Sequence, residues 1–286
     1  MPYLPGEIIN KRYRIVSLLG SGAYGAVYRA WDLSAEQNVA VKEYLDPEVE
    51  TQKLFRAQAR RLNGLQHPQL APVLDHFVLD DRGQYLVSQY IDGISLQRQL
   101  DQYGPLPSDL IIQWLQAACV PVAYLHDKGE LHLDIKPANI LLTGAGEVFL
   151  VDSGLPGLGT RPHEDGYGSP EQQAQTEVSA ASDIYSMGAT LYALLTAQNP
   201  PNALSRESGL QDLVPAREVN PDIEPYLSLV ATRAMSLRPD TRYESAADFA
   251  KALERPAGRP APRISEGRRT ADPPASPPPA PRLPPS

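Results

Sequence analysis

The chain has a single cysteine, Cys119, so no internal disulfide can form and a cysteine-based zinc site is excluded. Its five histidines, His67, His76, His126, His132 and His163, show no metal-ligand spacing. The longest nearly apolar run, Leu110 to Leu125, is interrupted by Gln113 and Gln116 and falls short of the ~20 apolar residues that a membrane span needs. MPYLPGEIINKRYRIV at the N-terminus lacks the basic segment and apolar stretch of a signal peptide. Positive charge is also scarce: 26 Lys and Arg stand against 34 Asp and Glu, for a formal net charge of −8. General nucleic-acid binding, which needs a cationic face, is therefore not expected. A soluble cytoplasmic protein with no membrane span is.

What is present suffices for a sizeable core, since 42% of the 286 residues are apolar and 21% charged. Proline is uneven. Of 29 prolines, 11 fall in 256–286, where arginine also outweighs acid, so removing that tail takes the formal charge from −8 to −11. Such a tail cannot bury enough apolar surface to fold. It reads as an extended, disordered segment rich in Pro, Ala and Arg, with docking of a proline-binding module as one use.

Strands are predicted over 13–19, 26–31 and 38–44, with a helix over 48–65 ended by His67-Pro68, then strands over 73–79 and 84–91. After Asp92-Gly93 the pattern turns helical. A long helix opens at Pro107, where a missing N–H costs nothing, and runs to about His126. Pro121 inside it should kink it, at ~3 kcal/mol unless the surroundings compensate. Short strands at 140–142 and 148–151 precede helices at 181–196, 224–237 and 245–253.

Four segments carry chemistry. Gly20-x-Gly22-x-x-Gly25-x-Val27 lies between two strands, not between a strand and a helix, so it is not the dinucleotide fingerprint. A glycine-rich hairpin still lets backbone N–H groups approach phosphate oxygens, although a plain turn would read the same. Val39-Ala40-Val41-Lys42 follows, and a lysine near the end of an apolar strand must snorkel out or meet an anion. His132-Leu133-Asp134-Ile135-Lys136-Pro137-Ala138-Asn139 puts a carboxylate, an ammonium and a carboxamide in one loop. Val151-Asp152-Ser153-Gly154 adds a second carboxylate at a strand end. An acid for a hydroxyl, a lysine for phosphate charge and an Asn/Asp pair for metal ions are the requirements of phosphoryl transfer.

With these motifs, and with Ser169-Pro170-Glu171, Asp183-Ile184-Tyr185-Ser186-x-Gly188 and Arg242, the chain resembles bacterial serine/threonine protein kinases. The resemblance implies an α+β, two-lobed fold after a lead-in of residues 1–12. A small antiparallel β N-lobe with one helix would span 13–91, a larger and mainly helical C-lobe 92–254, and the tail 255–286. It implies ATP and Mg2+ as cofactors and a protein substrate. Carried over by position, Gly20, Ser21, Gly22, Ala23, Tyr24 and Gly25 would cover the nucleotide. Val27, Ala40, Ser88, Gln89, Ile91, Ser95 and Leu141 would surround it. Lys42 would hold the α/β-phosphates, Asp134 would accept the substrate hydroxyl's proton and Lys136 would steady the γ-phosphate. Asn139 and Asp152 would bind magnesium. Glu171 paired with Arg242, and Asp183 bracing the catalytic loop, would be architectural.

Four positions depart from the family pattern. Gln58 stands where a helix glutamate would pair with Lys42, and a neutral amide supplies no counter-charge. Leu133 replaces the arginine that reads a phosphorylated activation loop. Ser153 replaces an apolar plug, and Glu164 a threonine near the catalytic loop. The departures set a pseudokinase, acting as a nucleotide-binding or scaffolding module, beside the active enzyme as an alternative. A small-molecule phosphotransferase of related fold is disfavoured by Ser169-Pro170-Glu171 and Arg242.

Overall fold

A computed structural model describes residues 2–22, 25–45, 49–79, 82–153 and 166–255. In the N-lobe, β1 (Ile8–Ile9), β2 (Tyr13–Gly22), β3 (Gly25–Asp32), β4 (Gln37–Tyr44), β5 (Val73–Leu79) and β6 (Gly83–Gln89) form one antiparallel sheet. Its order is β1-β2-β3-β4-β6-β5. The lead-in thus joins the sheet, since β1 pairs with β2 and Ile9 is buried. Period-two alternation divides β3 and β4 between two faces. Tyr28, Ala30, Val39 and Val41 enter an apolar cluster with Tyr13, Tyr85 and Val87, and Phe77 stacks between the Tyr13 and Tyr85 rings. Val27, Ala40 and Lys42 face the other way, half-buried. That second face is the one the site uses. Buried Glu43 accepts hydrogen bonds from the Tyr28 and Tyr85 hydroxyls at 3.2 and 2.6 Å, which satisfies a carboxylate the sheet would otherwise strand.

Helix α1 (Val49–Asn63) lays Phe55, Ala59 and Leu62 against Leu86, with Tyr44 and Val73 at the edge. The spacing of 4 and 3 is that of one helix face.

The C-lobe holds β7 (Gly93–Ser95), α2 (Leu96–Tyr103), α3 (Ser108–Asp127), β8 (Ile140–Thr143) and β9 (Val148–Leu150). Then come α4 (Pro170–Gln173), α5 (Ala180–Thr196), α6 (Ala203–Glu207), α7 (Ala216–Val219), α8 (Pro225–Ala234) and α9 (Ala246–Ala252). Strands β7, β8 and β9 make a second antiparallel sheet. Buried along nearly its whole length, α5 is the centre of the lobe. Among the described residues α3 alone is long and apolar enough to cross a membrane, and it packs Ile111, Leu115, Cys119, Val122 and Leu125 into this core. Burial pushes the Cys119 thiol up to about 12, so it stays protonated and unreactive. Helix α3 continues through buried Pro121 to Asp127.

Helix α2 was not expected from the sequence, although its signal was present. Ser95 caps it through a bond from Arg98 N, Leu96 and Leu100 share one buried face, and Gly104 ends it at φ +72°. Helix α8 is shorter than the predicted 224–237, starting at Pro225 and stopping at Ala234. The two lobes meet along a bridge between Leu70 and Leu150, where Leu150 N donates to Gln69 O at 2.8 Å.

Candidate active site

The glycine-rich segment is a hairpin in which Gly20 pairs with Val27, Ser21 with Ala26 and Gly22 with Gly25. Gly25 is obligatory: at φ +150° a Cβ would sit 1.8 Å from the Glu43 carbonyl oxygen on the adjoining strand. A Cβ at Gly20 would meet nothing within 4 Å. One glycine closes the hairpin onto β4; the other leaves open space beside its backbone. Ala23 and Tyr24 lie outside the described residues, as do Thr160, Glu164 and the tail from Pro256.

Register brings the next residues together. Val27 pairs with Lys42, Lys42 with Leu86, and Ala40 with Ser88, so these side chains occupy two adjacent rows of one sheet face. Ser88 is half-buried and Ile91 is buried at the end of the N-lobe, while Gln89 is exposed with its N–H bonded to Pro72 O. Ser95 and Leu141 are partners in the β7–β8 ladder, and the Ser95 hydroxyl is engaged as the α2 cap.

The partner of the Lys42 ammonium is Asp152, at 2.7 Å. Burial works against the charge on Lys42, but the negative field of Asp152, with Tyr44 and Asp134 behind it, outweighs this and raises its pKa above the ordinary lysine value. The ammonium also lies over the Tyr44 ring at 5.1 Å, and that ring meets Phe55 of α1 edge-on at 5.6 Å. Among the described residues, contact between Lys42 and α1 runs through these aromatic rings; Gln58 is half-buried on the same helix.

In the loop 132–139, Asp134 Oδ1 holds Lys136 Nζ at 2.8 Å. Asn139 Nδ2 donates to both Asp134 O and Asp134 Oδ2 at 2.8 Å. With its amide hydrogens committed to Asp134, Asn139 has only its oxygen to offer a cation. His132 is buried, and burial lowers its pKa and keeps the ring neutral. Its Nδ1 accepts from Asp134 N at 3.3 Å, so Nε2 carries the proton and donates to Val151 O at 3.2 Å. The bond from Val151 N to Asn139 O ties the loop to the Asp152 segment a second time.

Two residues here adopt left-handed backbone without being glycine: Leu133 at φ 59° and Asp152 at φ 63°. Such conformations cost about 1–3 kcal/mol each and persist only where the surroundings fix them. Leu133 is fixed on both sides. Its N–H donates to Asp183 Oδ1 at 2.7 Å, and its carbonyl accepts from Gln172 Nε2 at 2.9 Å. Fully buried Asp183 also accepts from His132 N and sits 2.9 Å from His126 Nε2, so it braces the loop as the resemblance implied. Gln172, which the sequence reading passed over, belongs to α4, where Ser169 caps it in a capping box. Beside it Glu171 and Arg242 make the expected buried, bidentate pair at 2.6 and 2.9 Å.

The protein kinase domain model matches residues 13–256. The chain is 30% identical to serine/threonine-protein kinase PknB of Mycolicibacterium smegmatis, over 84% of this chain and 42% of that protein. It is 28% identical to PknB of Mycobacterium tuberculosis, over 86% of this chain and 43% of that protein. The chain thus spans less than half the length of these relatives. A solved structure described as the apo form of PpkA-294 superposes with a TM-score of 0.69 at 27% identity, covering 88% of this chain and 99% of that one. The two lobes, the cleft residues between them and the match across nearly the whole folded region agree, and the chain belongs to the protein kinase domain family.

Proposed function

We propose that the protein transfers the γ-phosphoryl group of ATP, with Mg2+, to serine or threonine hydroxyls of a protein substrate. One observation carries this: Lys42 of β4 meets Asp152 beyond β9 at 2.7 Å, Asn139 meets Asp134 at 2.8 Å within the loop 132–139, and Asp134 lies close enough to Lys42 to act on its charge. Metal and nucleotide fit the donor set. Among the described residues no three His, Cys, Asp or Glu side chains cluster as a metal cage. Mg2+ suits such a place, because it binds through one or two carboxylates plus substrate phosphates. Asp152 and the Asn139 oxygen would hold it, and the open backbone at Gly20 would admit phosphate oxygens. Magnesium nucleotide, when bound, supplies the phosphoryl group and the neutralising charge. Lys42 then offers a permanent cation to the phosphates, Asp134 receives the proton of the attacking hydroxyl, and Lys136, already beside Asp134, balances the charge that builds there. Gln172 and Asp183 hold the Leu133 backbone without any phosphate, so no phosphorylated residue is needed to shape the loop. The cytoplasm, where ATP is abundant, is the proposed compartment.

Incubating the purified chain with labelled ATP, Mg2+ and a generic protein substrate should label serine and threonine. Mg-ATP at ~100 times its Kd should add ~2.7 kcal/mol of stability. Absence of both label and thermal shift would overturn the proposal.

Ser88 also makes a measurable prediction. Its small side chain beside Ala40 leaves the rear of the nucleotide pocket roomy, so ATP-site inhibitors with bulky substituents should bind. Ser88→Met should weaken them at least ~10-fold, the loss expected when an overpacked site must shift. Equal affinity for both proteins would show that Ser88 does not border the pocket.

A further inference from the structure

Gln58 of helix α1 gives Lys42 no counter-charge, and the packing of the helix against the sheet is an apolar contact of Phe55, Ala59 and Leu62, which is non-directional. A directional contact exists at the other end of the helix. Arg61, in its last turn, places Nε and Nη2 each 2.6 Å from Glu130 Oε1. Glu130 is only 6% exposed, and Arg61 is its one cationic partner among the described residues. The location of Glu130 matters. Its N–H is fixed to Leu125 O at the end of α3, and two residues later His132 N enters the Asp183 brace. His132 in turn holds Asp134 N and Val151 O. The chain beyond α1 is tied to the same region, since Gln66 N donates to the Tyr124 hydroxyl and His67 packs on that ring at 5.1 Å. Glu130 is buried while the Arg61 side chain is 57% exposed, so the carboxylate is the member that loses most when the two part.

We propose that the Arg61–Glu130 ion pair couples α1 to the catalytic loop in place of an ion pair between the helix and Lys42, making Arg61 and Glu130 positioning residues for phosphoryl transfer. Neither touches the reacting atoms. The pair sets where α1 sits, and α1 sets the edge-on Phe55–Tyr44 contact that carries Lys42. Through Glu130 the same pair bears on His132 and the Asp134 backbone. The inference rests on the kinase reading of the cleft.

The test is a cycle of uncharged variants of the full chain: Arg61→Gln, Glu130→Gln and both together, with Arg61→Lys as the conservative control. Each single glutamine variant should lower kcat roughly tenfold and leave the KM for Mg-ATP within about twofold. The double variant should be no slower than either single one, the non-additivity expected of partners in contact. Arg61→Lys should keep most of the rate. Amide hydrogen exchange should quicken in both 53–63 and 132–139 in Arg61→Gln, a readout independent of turnover. An unchanged kcat in Arg61→Gln, additive losses in the double variant, or exchange that quickens in α1 alone would overturn the proposal. If the wild type transfers no phosphate, the kinase reading fails instead, and exchange at 132–139 still decides the coupling.

Discussion

Arg242→Ala should unfold the C-lobe first and cost about 3–5 kcal/mol, the loss seen when one member of a buried ion pair is removed. At ~2–4 °C per kcal/mol for a domain of this size, the melting temperature should fall by ~6–20 °C. The expected size follows from how much meets at this guanidinium. Its side chain is fully buried, and it donates to both Glu171 oxygens, to Ala181 O at 2.7 Å, to Ser236 O at 2.8 Å and to Leu237 O at 3.1 Å. Its removal leaves Glu171 with the Ser182 hydroxyl at 2.8 Å and no cation. Those carbonyls would also lose their donor.

Acid should narrow the difference. Burial opposes the charge on Glu171, but hydrogen bonding and attraction from Arg242 win, and its pKa lies below the ordinary carboxylate value. A lowered folded-state pKa contributes stability that is complete above the unfolded value and is lost as pH falls through the folded one. Wild type and Arg242→Ala should therefore differ most at neutral pH and converge only in acid below ~4. Thermal melts of both proteins across that range check this, and a gap that is the same at every pH would mean that the pair's charge is not what stabilises the lobe.

Asp134→Asn should abolish measurable transfer, lowering kcat by ~10²–10⁴ while nucleotide binding survives. Asparagine matches aspartate in size and can still accept a bond from Asn139, so the loop should keep its shape. It cannot take a proton. It also leaves Lys136 without the carboxylate now 2.8 Å away, which removes charge balance on the side where the hydroxyl attacks. Lys42 and Asp152 are untouched, so the Mg-ATP thermal shift should persist within ~1 kcal/mol of the wild type's. A variant that keeps a tenth of the wild-type rate would remove Asp134 from the proton-accepting role. Loss of the thermal shift would mean that the substitution disturbed the nucleotide site instead.

Much of the candidate site was readable from the sequence because it is local. Asp134, Lys136 and Asn139 lie within one short loop, and Gly20 to Val27 within one hairpin, so spacing alone puts them in reach of each other. The N-lobe strands were readable for the same reason, since alternating apolar and polar residues state which face each side chain takes. Family pattern extended this to Glu171 with Arg242 and to Asp183. Helix α2 was equally local, with Ser95, Leu96, Leu100 and Gly104 marking its cap, face and end, and was passed over. What no local pattern could reveal are the contacts closed across long stretches of chain. Arg61 on an exposed helix face reads as a solvated charge, and Glu130 as a loop residue, until folding brings them together. Gln172 likewise looks like an ordinary helix amide before its bond to the Leu133 carbonyl is seen. The partner of Lys42 is of this kind too, because Gln58 leaves the choice to whichever anion the packed lobes place nearest, and that is Asp152. Short-range spacing fixes which groups can react, whereas burial and long-range approach decide which of them are held, charged and aimed, because only a packed interior makes an unpaired charge costly enough to choose its partner.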